Sequence, residues 1–377
     1  MPISVAVPKE SAPGERRVAV VPSVADRLAR LGASVILQAG AGAGSFFPDE
    51  AYARARVVAT AEELYGAAGV ILKVQPATVG EIDLMPAGAV LVGFQAPGQD
   101  PERTARLRDR RITAFAMELI PRIARAQSMD ALSSQAAVAG YRAALMAAEL
   151  TGRFFPMLTT AAGTIRPSTV LVIGAGVAGL EAIATAKRLG ATVEAYDVRA
   201  ATRDQVRSLG AKFLEVEVSA EGQGGYAREL TATEVQAQQE MLARHLGAVD
   251  VVICAAAVPG RPAPRIIGAD AVAGMRPGAV IVDLAAESGG NCALTRPGER
   301  VELHGVTIYG PLNVPSLLPV DASEMYARNL FSFLSMMLKD GELAPDWTDE
   351  IIARSLLTRD GRIVHEPTRA AVERSVA

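Results

Sequence analysis

The chain has 377 residues, half of them apolar, with 38 basic against 41 acidic side chains and a formal charge of −3. So small a balance supplies no basic field for nucleic acid or acidic lipid, and no block of like charge reads as an interaction tail; nucleic acid is not an expected partner. At about 100 to 200 residues per domain, the length predicts two or three domains, each able to bury a core without disulfide or metal staples.

Cys254 and Cys292 lack CxxC spacing, and His245, His304 and His365 are scattered, so neither set outlines a disulfide framework or a zinc site. A reducing cytosol is expected. The N-terminus has no basic stretch leading into an apolar one, as a secretory signal would. No run reaches the ~18 apolar residues of a membrane-spanning helix, so direct membrane insertion is not expected.

In chain order, Ser4–Pro8, Ser34–Ala39, Val70–Val74, Ala89–Gln95 and Ile112–Met117 read as strands, with Ser23–Leu31 and Pro101–Arg110 as helices between them. That alternation predicts a mostly parallel sheet covered on both faces. Glu118–Leu132 breaks the pattern, and Ser134–Gly152 reads as an alanine-rich helix connecting two domains. Six further strands follow, at Val170–Ile173, Thr192–Asp197, Lys212–Val218, Val249–Ala255, Ala279–Leu284 and Val306–Tyr309, making a second doubly wound sheet that closes near residue 311.

Residues 321–339 read as a helix, and Asp360-Gly361 sits between two short apolar runs as a tight hairpin turn. This tail is too short for a core of its own and is expected to pack on the first domain. The expected fold is α/β with two Rossmann-like doubly wound parallel-sheet domains. The first is discontinuous, 1–136 plus 320–377; the second spans 137–319.

The strongest local signal is the glycine turn within Val170-Leu171-Val172-Ile173-Gly174-Ala175-Gly176-Val177-Ala178-Gly179, a buried strand running into a helix. Gly174 permits the turn, Gly176 lets a pyrophosphate approach the backbone, and Gly179 lets helix and strand pack closely, while the helix N-terminus offers free N–H groups. Asp197 ends the next strand about 20 residues on, where a carboxylate accepts hydrogen bonds from an adenosine ribose. A carboxylate there repels a 2′-phosphate and favours NAD over NADP; Arg199, two residues later, works against that argument.

Other segments leave two readings each. Gly40-Ala41-Gly42-Ala43-Gly44 lacks the fingerprint spacing and reads as a loop. Lys73, one of only five lysines against 33 arginines, ends an apolar strand, where it binds a substrate carboxylate or simply snorkels. The polar stretch from Arg122 to Ser133, at the predicted interdomain crevice, is a ligand-binding loop or a helix-capping linker. The glycine-rich run with Gly225 and Tyr226 is a lid over a cofactor or a surface connection.

Taken together, several motifs resemble the soluble NAD(H)-binding component of proton-translocating NAD(P) transhydrogenase. They are Lys9-Glu10, Glu15-Arg16-Arg17-Val18-Ala19-Val20-Val21-Pro22, Arg125-Ala126-Gln127-Ser128-Met129-Asp130, Ala139-Gly140-Tyr141-Arg142, the glycine turn, Asp197-Val198-Arg199 and Gly224-Gly225-Tyr226-Ala227-Arg228. The resemblance implies that Arg122, Asp130 and Ser133 position the nicotinamide carboxamide, with Ser128 and Met129 beside them. It implies that Gln127 reaches towards NADP(H) on a partner subunit. Tyr226 would fold over the nucleotide, and Gly174, Gly176, Val177, Ala178, Gly179, Asp197, Val198, Arg199, Gly225 and Ala257 would lie against NAD(H).

The implied activity is hydride transfer from NADH to NADP⁺, coupled to proton translocation by membrane-spanning partner subunits. The implied partners are those subunits, with their NADP(H)-binding domain, and a second copy of the chain as a homodimer. The chain would then be cytoplasmic and peripheral to the inner membrane. Alanine dehydrogenase is similar in architecture: Arg17 and Lys73 match its substrate-binding residues, but its catalytic histidine is here Gln95, which cannot shuttle a proton. The rival readings are a stand-alone amino-acid dehydrogenase and a non-catalytic NAD-binding sensor.

Overall fold

The structure is a computed structural model, and it describes residues 2–215, 228, 230–258 and 260–376. The chain forms two compact units, Met1–Gln135 with Ser316–Ala377, and Ala136–Pro315.

Unit 1 begins with β1 (Ser4–Val7), α1 (Pro22–Arg30), β2 (Ser34–Gln38), β3 (Ala55–Val58), α2 (Ala61–Gly66), β4 (Val70–Leu72), α3 (Val79–Leu84), β5 (Val90–Gly93), α4 (Pro101–Asp109) and β6 (Thr113–Ala116). These six strands are parallel and ordered β6-β5-β4-β1-β2-β3, the doubly wound arrangement. Their side chains alternate between two cores. Val5, Val7, Val35, Leu37, Val70, Leu72, Val90, Val92 and Phe115 face one, whereas Ala6, Ile36, Ile71, Leu91 and Ala114 face the other, packed with Leu64, Ile82 and Leu107 from the helices of that side. A sheet buried on both faces needs this continuous apolar composition.

α5 (Ala131–Leu150) then leads into unit 2, which starts with a small exposed hairpin, β7 (Leu158–Thr160) and β8 (Gly163–Ile165). Next come β9 (Thr169–Ile173), α6 (Val177–Arg188), β10 (Thr192–Tyr196), α7 (Arg203–Ser208), β11 (Lys212–Phe213), α8 (Ala232–Leu246), β12 (Val251–Cys254), α9 (Ala269–Ala273), β13 (Val280–Asp283), β14 (Arg300–Leu303) and β15 (Val306–Tyr309). The sheet order is β11-β10-β9-β12-β13-β15-β14, parallel except for β14. The order reverses between β9 and β12, so the carboxyl ends of those strands flank the crevice where such sheets take ligands. The expected third strand is described only as Lys212–Phe213; residues 216–218 lie outside the described residues.

The chain returns to unit 1 with α10 (Pro319–Ser335), β16 (Leu338–Lys339), β17 (Glu342–Leu343), α11 (Glu350–Ser355), β18 (Leu356–Arg359), β19 (Arg362–Ile363) and α12 (Glu366–Val376). Asp360 and Gly361 both have positive φ, 50° and 74°, as the two-residue hairpin turn between β18 and β19 requires. β18 pairs antiparallel with β6 and extends the sheet to eight strands. Trp347 stacks on Phe115 at 6.3 Å between ring centroids and carries the Arg359 guanidinium 3.5 Å above its own ring. The tail therefore covers the end of the sheet and supplies part of its core.

Within unit 2, α5 meets the start of α6 through Gly140. A β-carbon at that position would fall 2.0 Å from the Ala178 carbonyl oxygen and 3.0 Å from its Cα. Helix propensity alone makes Gly140→Ala stabilising by about 1 kcal/mol, whereas forcing two backbones apart costs about 1 to 3 kcal/mol. Packing decides: Gly140→Ala is expected to lower the thermal midpoint of unfolding, and a raised midpoint would show that the helices do not touch here.

Candidate functional site

β9 runs straight into the glycine turn. Gly174 has φ +92°, and a side chain on it would lie within 2.7 to 2.9 Å of the Ala255 and Ala256 backbone where β12 ends. A β-carbon on Gly179 would fall 1.8 Å from the Gly174 carbonyl oxygen. Both glycines let backbone pack on backbone. Gly176 differs, because the space beyond its Cα is open to at least 4 Å. It is also the N-cap of α6, and no side chain caps that helix, so its first N–H groups and its positive dipole end are left for an anion.

Asp197 follows β10 and is almost fully buried. Its Oδ2 accepts the Ala175 N–H at 2.7 Å, which fastens the glycine turn to the neighbouring strand end, and its Oδ1 accepts the Arg199 N–H at 2.8 Å. Val177 is 42% exposed at the first position of α6, Ala178 and Val198 are half-buried, and Ala257 is exposed after β12. A cradle left open at Gly176, uncapped helical N–H groups and a fixed carboxylate at the next strand end fit a dinucleotide: pyrophosphate on the helix, ribose on the acid.

Two supports escaped sequence reading. Asn291, fully buried, donates to the Ala256 and Pro264 carbonyls at 2.8 and 2.9 Å and accepts the Ala256 N–H at 3.1 Å, so it clamps the loop after β12. Gln238 on α8 donates to the Tyr196 hydroxyl at 2.9 Å. Nothing in the local sequence marks either residue, because each serves a strand end far away along the chain. Gly225 and Tyr226 lie outside the described residues.

In unit 1, the Arg122 to Ser133 stretch holds a 3₁₀ helix, Ala124–Met129, followed by α5. Arg122, Gln127 and Ser128 are exposed, whereas Met129 is buried in the unit 1 core. Asp130 takes the Ser133 N–H at 2.9 Å and the Ser133 hydroxyl at 2.6 Å, so these two residues are brought together and cap α5. Asn329 donates to the Ser128 carbonyl at 2.9 Å, and Arg125 pairs with Asp349 at 2.5 Å. The segment is thus a held platform that offers Gln127 and Arg122 outward.

At the carboxyl ends of β4 and β5 sits a dense network of charges. Lys73, 1% exposed, pairs with Glu10 at 3.2 Å and Glu81 at 3.1 Å, so the snorkelling reading of this lysine is wrong: its ammonium is sunk among carboxylates. Glu81 is placed there by the Thr78 capping box of α3. Arg17 binds both oxygens of Glu15, with Nε at 2.8 Å and Nη2 at 2.6 Å, and donates to Gln135 at 2.8 Å. Burial pushes the Glu10 carboxyl up against the pull of Lys73, and pushes Glu118 up where it receives the Gln95 and Ala96 N–H groups. Gln95 is itself buried, and its carboxamide finds no protein partner among the described residues.

The alanine dehydrogenase/PNT N-terminal domain model matches residues 6–139, and the alanine dehydrogenase/PNT C-terminal domain model matches residues 143–366. The chain belongs to the alanine dehydrogenase/PNT family. Within that family it is 48% identical over 376 residues to an NAD(P) transhydrogenase subunit alpha of Rhodospirillum rubrum, covering 96% of this chain and 98% of the relative. It is 30% identical over 380 residues to an alanine dehydrogenase of Mycobacterium tuberculosis, covering 96% and 95%. The crystal structure of transhydrogenase from Sinorhizobium meliloti aligns with a TM-score of 0.88 at 44% identity, over 96% of this chain and all of that one.

Burial opposes ionisation of Glu15, but hydrogen bonds and charge from Arg17, with Gln75, overcome it and bring its pKa down to about 2. A depressed carboxyl stabilises the fold above its ordinary value of 4.5, and that contribution is lost as pH falls towards 2. The stability gap between the wild type and Glu15→Gln should therefore narrow by about 2 kcal/mol between pH 7 and pH 3 in denaturant titrations. A gap independent of pH would mean that Glu15 is not held ionised by Arg17.

Proposed function

We propose that this chain is the NAD(H)-binding component of a proton-translocating NAD(P) transhydrogenase. It passes hydride from NADH directly to NADP⁺ held on a partner subunit, and membrane-spanning subunits couple that transfer to proton movement. The observation that carries this reading over alanine oxidation is Gln95 at the buried end of β5. Releasing a proton from an amino acid needs a group that accepts it near neutral pH, and a carboxamide does not. The relatives named as transhydrogenase alpha subunits support the same choice by their higher identity.

NADH supplies the hydride from C4 of its nicotinamide; the protein supplies position and orientation. The N-terminus of α6, reached over Gly176 between Gly174 and Gly179, binds the pyrophosphate, and Asp197 receives the adenosine ribose. Val177, Ala178, Val198, Arg199, Gly225 and Ala257 line the nucleotide, and Tyr226 closes over it. Arg122 and the Asp130–Ser133 pair orient the carboxamide, with Ser128 and Met129 alongside, while Gln127 faces the incoming NADP(H). No resident group has to gain or lose a proton in that transfer. In the complex the chain works as a homodimer on the cytoplasmic side of the inner membrane.

Arg17 and Lys73 favour the second reading, a stand-alone amino-acid dehydrogenase, although both cations are engaged by carboxylates of their own unit. Two assays separate the readings. Purified chain given alanine and NAD⁺ should make no NADH; steady production would overturn the proposal. Chain combined with its membrane partners and NADH deuterated at C4 should deliver the label to NADP⁺ with none entering water, and label washed out into solvent would exclude direct transfer.

In the same reconstituted complex, Gln127→Asn should slow transfer at least about tenfold, as misplacement by an ångström does, while NADH affinity stays near that of the wild type. A large loss of affinity would place Gln127 on NADH instead.

A further inference from the structure

Asp197 has no acceptor position to spare. Oδ1 receives the Arg199 N–H at 2.8 Å and its Nε–H at 2.9 Å; Oδ2 receives the Ala175 N–H at 2.7 Å and Arg199 Nη2 at 2.6 Å. An ionised carboxylate offers about four lone-pair sites, and these bonds fill them. Two of the donors are backbone groups fixed by the glycine turn and by the chain leaving β10. The other two are the fork of one side chain, which is 20% exposed against 5% for the carboxylate and so lies on its solvent side.

We propose that Arg199 is a resident stand-in for the ribose diol, holding the two outer acceptor positions of Asp197 until the adenosine ribose of NAD(H) displaces it. The inference rests on reading unit 2 as the NAD(H) site. A guanidinium presents two parallel donors to the two oxygens of a carboxylate. The adjacent 2′- and 3′-hydroxyls of a ribose present two donors to the same acid. Both cannot be satisfied at once. The Ala175 N–H leaves only if the turn after β9 comes apart, whereas the arginine side chain leaves by rotating about its own bonds. Arg199 therefore competes with the nucleotide for the acid and keeps that buried carboxylate paired when no ribose is there, since an unpaired one would be costly.

The consequence is an affinity effect opposite in sign to that of an ordinary contact residue. In equilibrium titrations of the full chain, Arg199→Ala is expected to bind NADH and AMP about three- to tenfold more tightly than the wild type. Nicotinamide mononucleotide and 2′,3′-dideoxy-AMP, which lack the adenosine diol, should gain nothing. Arg199→Lys, a single point donor without the fork, should fall between. Arg199→Gln, which keeps the stem, carries the same test if the alanine variant does not fold. In an Asp197→Asn background, Arg199→Ala should make no further difference, because the contact it relieves is already broken. Weaker or unchanged binding of NADH and AMP by Arg199→Ala, with the wild type binding both, would overturn the role given to Arg199 alone. A wild type that takes up neither NADH nor AMP would refute the NAD(H) reading of unit 2 and this inference with it.

Discussion

Unit 2 depends on backbone lying against backbone where β9 ends. Gly179 under the Gly174 carbonyl, Gly174 beside the exit of β12 and Gly140 against Ala178 leave no room for a single β-carbon. Together they bring α6 down onto the sheet with its uncapped end at the reversal of strand order. Once that is fixed, the Ala175 N–H points at Asp197, and the distance between phosphate site and ribose site is set by rigid elements rather than by loops. The function proposed for the chain follows from this geometry: a nucleotide held at two points, with chemistry left to the nucleotide itself.

Unit 1 solves a different problem. It brings Lys73, Arg17, Glu10, Glu15 and Glu81 together at the carboxyl ends of its strands, and buried charges survive only when paired and hydrogen-bonded. Most partners come from segments distant in sequence: Glu10 from the loop after β1, Glu81 from the capping box of α3, Gln135 from α5. The network ties the N-terminal loop to the sheet edge. It supplies no imidazole, which sets this chain apart from an enzyme that must move a proton during amino-acid oxidation.

The central strands were legible because buried parallel strands are written as apolar runs, and the glycine turn because its three glycines answer three steric demands that can be stated in advance. β3 and β14 were missed: both are sheet-edge strands, where Arg56, Arg300 and Glu302 interrupt the apolar pattern as edges favour. The tail could not be assigned a role from its own residues, since Trp347 and the hairpin find their partners on β6. For the same reason the partners of Lys73, the clamp of Asn291 and the double occupation of Asp197 by Arg199 could not be read from spacing. Tertiary contacts put them there, and only the Asp197-Val198-Arg199 triplet carried even the ingredients.

The most direct measurement is uptake of reduced nucleotides by the isolated chain, followed through nicotinamide fluorescence. With Asp197 fixed at the ribose, NADH should saturate one site per chain while NADPH at the same concentration remains free. Equal uptake of the two would contradict a carboxylate-headed site, and with it the assignment of this chain to the NAD(H) side of the reaction.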